Sequence, residues 1–331
     1  MHDRISILYT SNQKSFLCIY FDTRKKHRNN IEIFNQYWYF NNNNHILTIC
    51  YEGDSKNMKF FISVDMEGIT GLPDHTFVDS QKHNYERARR IMTNEANAVI
   101  EGLLKKGSTE IVVNDSHSKM NNLLIEELNP EALLITGGVK PYSMVQALDE
   151  TYAGAIFVGY HSRAGQPGVM SHSMIFGVRN MYINEVEIGE LGFNAYVAGH
   201  FGVPVILVAG DDGACREAEE LIPNITTVAV KDSITRQAVK TMHPKKSQAL
   251  LTERIQKAVD NRHLVKPLLP PKNPTLRIEF VNYGQAEWAA LMPGCEIEPG
   301  TTIVKFEAKD ILEAYRAMLV QVELACQTTF C

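Results

Sequence analysis

Three short apolar runs in this chain each end in side chains able to hold a cation, and that repeated pattern restricts the fold more than any other feature. Phe60-Phe61-Ile62 closes in Ser63-Val64-Asp65-Met66-Glu67-Gly68, Ile111-Val112-Val113 in Asn114-Asp115-Ser116-His117, and Ile156-Phe157-Val158 in Gly159-Tyr160-His161. Short continuous apolar runs read as strands buried on both faces, the habit of parallel sheets. Such sheets bind ligands at the carboxyl ends of their strands. Asp65, Glu67, His117 and His161 therefore converge on one edge, with the donor types of a metal site.

The spacing after Phe60 alternates strand and helix. It predicts helices over 84–106, stopping at Gly107, and around 120–128 and 142–149, with strands at 110–114, 132–136 and 155–160. Residues 173–178 and 181–184 read as a hairpin turning near Arg179-Asn180. Beyond it come a helix from Glu190 to Gly202, a strand over 204–209, a helix over 214–221 and a strand over 226–230. A helix near 245–260, strands near 275–281 and 301–307 and a closing helix from Asp310 complete the pattern. This is an α/β chain with a mostly parallel sheet covered on both faces. The prolines at 267, 270, 271 and 274 form a linker that could set off a second lobe from about 265.

Residues 1–57 do not resemble the rest. They contain no Ala, Val or Pro and one Gly, but nine Asn, including Asn41 to Asn44, and ten of the 29 aromatic residues. No period of 2 or 3.6 runs through them. Such a bias is what translation of AT-rich non-coding DNA produces, and Met58-Lys59 stands directly before the first strand. The expectation is a non-native extension over 1–57 and one domain over 58–331, the competing reading being a small aromatic-rich accessory domain. The net charge of −5 argues against nucleic acid or an anionic membrane as the main partner. Six scattered cysteines without a CxxC pair suggest neither a disulfide framework nor a cysteine zinc site, and point to a reducing cytoplasm.

Taken singly, each candidate has a plain structural reading. A carboxylate after a strand is a common turn former or helix cap, and His117 and His161 could be loop and rim histidines. Two acids at one strand end, however, repel unless a cation or proton compensates them. His172 alone reads as a hydrogen-bonded strand residue, and Glu190 as a first-turn acid favourable at a helix N-terminus. His75, His83, His243 and His263 read as solvent-facing, and His200 as structural.

Together the motifs SVDMEG (63–68), NDSHSKMN (114–121), GYH (159–161), VMSHS (169–173) and GELG (189–192) resemble the M55 family of zinc-dependent D-aminopeptidases, over Met58 to Cys331. The resemblance implies a three-layer α/β/α fold with a mixed, mostly parallel sheet. It implies two Zn2+ per subunit on Asp65, Glu67, His117, His161 and Glu190, with His172 as the catalytic histidine. It also implies short D-amino-acid peptides as substrates, chiefly with N-terminal D-Ala, and a homo-oligomer, a decamer of two pentameric rings. Asp115 is the expected acceptor for a ligand histidine. Two other readings use the same donors: a metal-dependent dipeptide-binding protein linked to peptide uptake, and a dinuclear metallophosphoesterase.

Overall fold

The computed structural model describes residues 17–27, 30–40, 46–51 and 58–329. These divide into two units, one within residues 1–57 and one from Met58 onward. In the first, β1 (Leu17–His27), β2 (Asn30–Phe40) and β3 (Ile46–Tyr51) pair antiparallel in the order β1-β2-β3. The Asn41 to Asn44 run lies outside the described residues.

The second unit begins with β4 (Lys59–Val64), α1 (Tyr85–Lys105), β5 (Glu110–Asp115), β6 (Ala132–Ile135) and β7 (Gly154–Tyr160). After β8 (Val178–Ile183) and β9 (Val186–Glu187) come α2 (Glu190–His200), β10 (Val205–Asp211) and α3 (Asp212–Leu221). The rest comprises β11 (Thr226–Thr235), β12 (Ala238–Thr241), α4 (Pro244–Asn261), β13 (Thr275–Phe280), α5 (Tyr283–Ala289), β14 (Cys295–Ile297), β15 (Ile303–Glu307) and α6 (Ile311–Ala325). Seven strands form one sheet in the order β12-β11-β10-β7-β4-β5-β6. All neighbours are parallel except the β11–β12 edge pair.

Side chains alternate across this sheet. Phe60, Ile62, Val64, Ile111 and Ile156 pack under α1 and α4, whereas Phe61, Val112, Ala155 and Phe157 pack on the other face with α2, α3 and α6. The result is the expected three-layer α/β/α arrangement with a mixed, mostly parallel sheet. A second sheet, antiparallel and ordered β14-β15-β13-β8-β9, joins strands from beyond residue 265 to β8 and shares the core on the α2–α6 side.

Three local expectations fail for identifiable reasons. Residues 120–128 form turns, because their backbone N–H groups are taken by side chains. The Asp115 carboxylate accepts from Asn122 N and Leu123 N, and Thr93 Oγ1 accepts from Leu124 N. Residues 142–149 hold a single 3-10 turn at Ser143–Val145, interrupted by positive φ at Ser143 and Ala147. The hairpin turns at Asn184-Glu185 instead of Arg179-Asn180, with Asn184 at φ 54, and β8 pairs with β9 and β13. Residues 173–177 are irregular because the Met174 N–H is spent on the Glu190 carboxylate at 2.6 Å.

Candidate metal centre

The carboxyl ends of β4, β5 and β7 bring Asp65, Glu67, His117 and His161 together, and α2 adds Glu190 as its first residue. Two glycines allow the approach. Asp65 N donates to Val158 O at 2.8 Å and Gly68 N to Gly159 O at 2.7 Å, so the acidic loop lies flat on the end of β7. A Cβ on Gly68 would meet Tyr160 O at 1.9 Å, and one on Gly159 would meet Asp65 O at 2.1 Å. Gly159 also adopts φ +74, where the β7–β10 register slips by one residue. A bulge of this kind re-aims the next side chains, here Tyr160 and His161.

A buried polar network supports these strand ends. Ser63 Oγ lies 2.8 Å from both Ser116 Oγ and Tyr160 Oη. Asn194 on α2 donates to Tyr160 Oη at 2.9 Å and accepts from Tyr315 Oη of α6 at 2.9 Å. Such a network fixes relative strand heights because each broken link would strand a polar atom in the core.

The donors form two groups sharing His161: Asp65, Glu67 and His161, and His161, His172 and Glu190. Within each, one ligand atom per residue lies within 4.8 Å of the others. His117 Nδ1 approaches the first group, 3.0 Å from Glu67 Oε2 and 3.4 Å from Asp65 Oδ1. His161 Nε2 lies 3.5 Å from Asp65 Oδ2 and 3.7 Å from Glu190 Oε1, and His172 Nε2 lies 3.8 Å from Glu190 Oε1. Asp65, Glu67, His117, His161 and Glu190 are all buried. The rings of His161 and His172 stack at 4.3 Å, and Phe176 packs 4.8 Å from His172.

Each histidine gives its other nitrogen to a backbone carbonyl: His117 Nε2 to Val78 O at 2.8 Å, His161 Nδ1 to Ser162 O at 2.9 Å and His172 Nδ1 to Met170 O at 2.9 Å. A carbonyl can only accept, so that nitrogen carries a proton, and the other nitrogen is left facing the carboxylates, free to ligate once a metal displaces any proton it holds. The same backbone partners orient metal-ligating histidines.

Buried Asp65 Oδ2 and Glu67 Oε2 make no hydrogen bond. Burial, reinforced by the Glu67 charge, pushes Asp65 up to about 7. Burial pushes His161 down, but Glu190, Asp65 and Glu67 outweigh it and raise it to about 9. His117 is raised well above its ordinary range against burial, chiefly by Glu67. A centre of three acids takes up protons unless a cation replaces them. The donor set fits divalent metal.

Asp115 is not the partner of a histidine. Its carboxylate caps the 117–123 loop through Asn122 and Leu123, while its backbone oxygen accepts from Lys140 Nζ at 2.5 Å. His75, expected in solvent, is exposed but lines the cavity beside the centre. His200 is exposed at the end of α2.

Two lysines escaped the sequence reading. Lys140 Nζ holds Asn114 Oδ1 at 2.9 Å besides the Asp115 carbonyl. Lys231, on β11 and 2% exposed, donates to the carbonyls of Glu67, Ile69 and Leu72 at 2.5, 2.8 and 2.8 Å. Its signal was present: a lysine directly after Val228-Ala229-Val230 in a strand must find buried acceptors.

The centre opens into a cavity of about 970 Å³ with an apolar wall that includes Met144, Met174, Ile175, Val281 and Leu319. That volume suits a small organic molecule or short peptide. Among the described residues, no helix is long and apolar enough to cross a membrane.

Comparison with known proteins adds three findings. A family model described as peptidase M55, D-aminopeptidase, matches residues 58–320. A D-aminopeptidase of Bacillus subtilis (strain 168) is 65% identical over 274 residues, covering 83% of this chain and 100% of the relative. The solved structure of the Zn-dependent D-aminopeptidase DppA from Bacillus subtilis, described as a self-compartmentalizing protease, superposes with a TM-score of 0.82 at 65% identity. It covers 83% of this chain and 100% of that one.

Proposed function

The chain belongs to the M55 family of D-aminopeptidases, and from that premise we propose a dinuclear zinc enzyme that removes N-terminal D-amino acids, chiefly D-Ala, from short peptides. Asp65, Glu67, His117, His161 and Glu190 would hold two Zn2+ per subunit, with His117 lying beside one carboxylate oxygen of Asp65 and His161 beside the other. The observation that carries the reading is the convergence of three buried carboxylates with the inward nitrogens of His117 and His161, Asp65 Oδ2 and Glu67 Oε2 having no hydrogen bond, a set that must take up protons unless a cation replaces them. Family membership sets aside the binding-protein and phosphoesterase alternatives.

When bound, zinc supplies Lewis acidity toward a carbonyl oxygen and makes water a competent nucleophile near neutral pH. The protein supplies the remainder. Asp79 and Glu323, acids of the cavity lining not assigned to the metal, are available to attract the α-ammonium group of the peptide, favouring attack at its first bond. Burial, and secondly the neighbouring His161, lower the His172 pKa and keep the ring neutral. With its Nδ1 proton committed to Met170 O, His172 can accept a proton at Nε2 from the attacking water and return it to the leaving amine. Phe176 against its outer face shields that transfer from bulk water.

We also propose that 58–331 is the catalytic domain and 1–57 an extension, and that the enzyme acts in the cytoplasm as a homo-oligomer, a decamer of two pentameric rings. The relative's description as self-compartmentalizing supports an assembled state. The test compares hydrolysis of D-Ala-D-Ala and L-Ala-L-Ala by the full chain and by residues 58–331, with zinc, after chelation, and in His172→Ala. The expected result is cleavage of the D peptide only, by both chains, lost on chelation and in His172→Ala while that variant still binds zinc. Cleavage of the L peptide, or full activity in His172→Ala, would refute the stereochemical or the catalytic assignment respectively.

A further inference from the structure

The cavity beside the metal centre has an uneven charge. Asp65, Glu67 and Glu190 belong to the proposed zinc pair; outside them Asp79 and Glu323 bring carboxylates to its lining, whereas Lys119 is the one lysine or arginine there among the described residues. Lys119 makes no ion pair with any described residue, so its charge is not already spent. It stands two residues after His117 on a firmly held loop. Ser118 at φ 49 and Met120 at φ 57 turn the backbone on either side of it. Met120 O accepts from Gly137 N at 2.5 Å and Thr136 Oγ1 at 3.1 Å, and Asn122 Nδ2 ties back to His117 O at 2.7 Å. Non-glycine residues keep such dihedrals only where their surroundings enforce them.

A short peptide entering this cavity is a zwitterion. Asp79 and Glu323 repel its carboxylate end, and in a partly desolvated cavity an uncompensated carboxylate binds poorly. An extended chain spans at most ~3.3–3.6 Å per residue. The ends of a dipeptide and the Cα positions of residues 117 and 119 are therefore separated by similar distances, up to ~7 Å. With its amino end at the centre, a dipeptide would thus carry its terminal carboxylate a distance comparable to the span from residue 117 to residue 119, on the cavity wall that Lys119 lines.

We propose that Lys119 anchors the terminal carboxylate of the peptide and so selects substrates with a free carboxylate close to the scissile bond. This rests on the aminopeptidase reading above. Lys119 is exposed, and an exposed lysine–carboxylate pair corresponds to about a 2- to 5-fold change in affinity.

The experiment measures kcat/KM on D-Ala-D-Ala and on its C-terminal amide, with the zinc-loaded full chain as wild type, Lys119→Ala and Lys119→Arg. The wild type is expected to prefer the free acid. Lys119→Ala should reduce that preference by about 2- to 5-fold, mainly through KM for the acid, and Lys119→Arg should keep most of it. A wild type without the preference, an undiminished preference in Lys119→Ala, or an equal loss on both substrates overturns the anchor while leaving the aminopeptidase reading intact. A wild type that cleaves neither peptide refutes that reading and the anchor together.

Discussion

Replacing Lys231 by Met removes the ammonium that ties the acidic loop to β11 while keeping most of the side-chain volume. The structure allows the two opposing effects to be weighed. Lys231 Nζ serves three carbonyls, of which only that of Ile69 has a second donor, Leu72 N at 3.4 Å. The change therefore leaves the Glu67 and Leu72 carbonyls buried without that partner, at about 1–3 kcal/mol each. Against this, burial lowers Lys231 from 10.5 to about 8. Keeping it charged in the fold thus costs about 3 kcal/mol, which the methionine relieves. Global stability should change by between a gain of about 1 and a loss of about 3 kcal/mol, in keeping with the frequent replaceability of buried charges by apolar side chains of similar volume. The local effect is not offset. Glu67, one of the proposed zinc ligands, loses the restraint on its own carbonyl, and the loss of an outer partner of a metal ligand typically costs about 10–100-fold in metal affinity. Urea unfolding of the zinc-free protein and competition titration with a chelating dye separate the two. Near-unchanged stability with zinc affinity down at least about 10-fold supports the argument. Unchanged zinc affinity would show that Lys231 does not position Glu67, and a stability loss well beyond about 3 kcal/mol would show that the desolvation cost had been overstated.

Glu95 is fully buried, with Oε1 accepting from Thr70 N at 3.3 Å and Ser247 Oγ at 3.1 Å and Oε2 unpaired. Burial raises its pKa above the ordinary 4.5. The fold then binds a proton that the unfolded chain has released, so stability is lost as pH rises through the folded value. Glu95→Gln should gain thermal stability relative to the wild type as pH rises above the ordinary 4.5, and a difference in Tm that does not move with pH counts against the shift. Gly159→Ala adds a Cβ 2.1 Å from the Asp65 carbonyl oxygen at φ +74. Left-handed strain of ~1–2 kcal/mol plus overpacking of ~1–3 kcal/mol should lower the Tm by ~5–15 °C and reduce zinc content. A variant with wild-type Tm and full zinc would mean that the close approach of β4 and β7 is not needed.

Much of the architecture was legible because burial on two faces demands continuous apolar runs, and those runs mark β4, β5, β7 and β10 directly. The misread segments, 120–128, 142–149 and 173–178, have helix- or strand-like composition. Their backbone donors and dihedrals, however, are claimed by Asp115, by Thr93, by positive φ at Ser143 and Ala147, and by Glu190. Those partners are distant in sequence or act through geometry that no period reveals.

The chain by itself determined which chemistry could gather at one edge. Acids and histidines that follow buried strands emerge at the carboxyl ends of a parallel sheet, whatever the loops do. Tertiary structure alone decided which ring nitrogen of each histidine faces inward, because Val78, Met170 and Ser162 offer the carbonyls that claim the other. It also decided that Lys231 reaches from β11 to the loop after β4, a contact spanning 164 positions in sequence. Hydrogen bonds and ion pairs depend on distances of a few ångströms, and those are set only when the strands are in register.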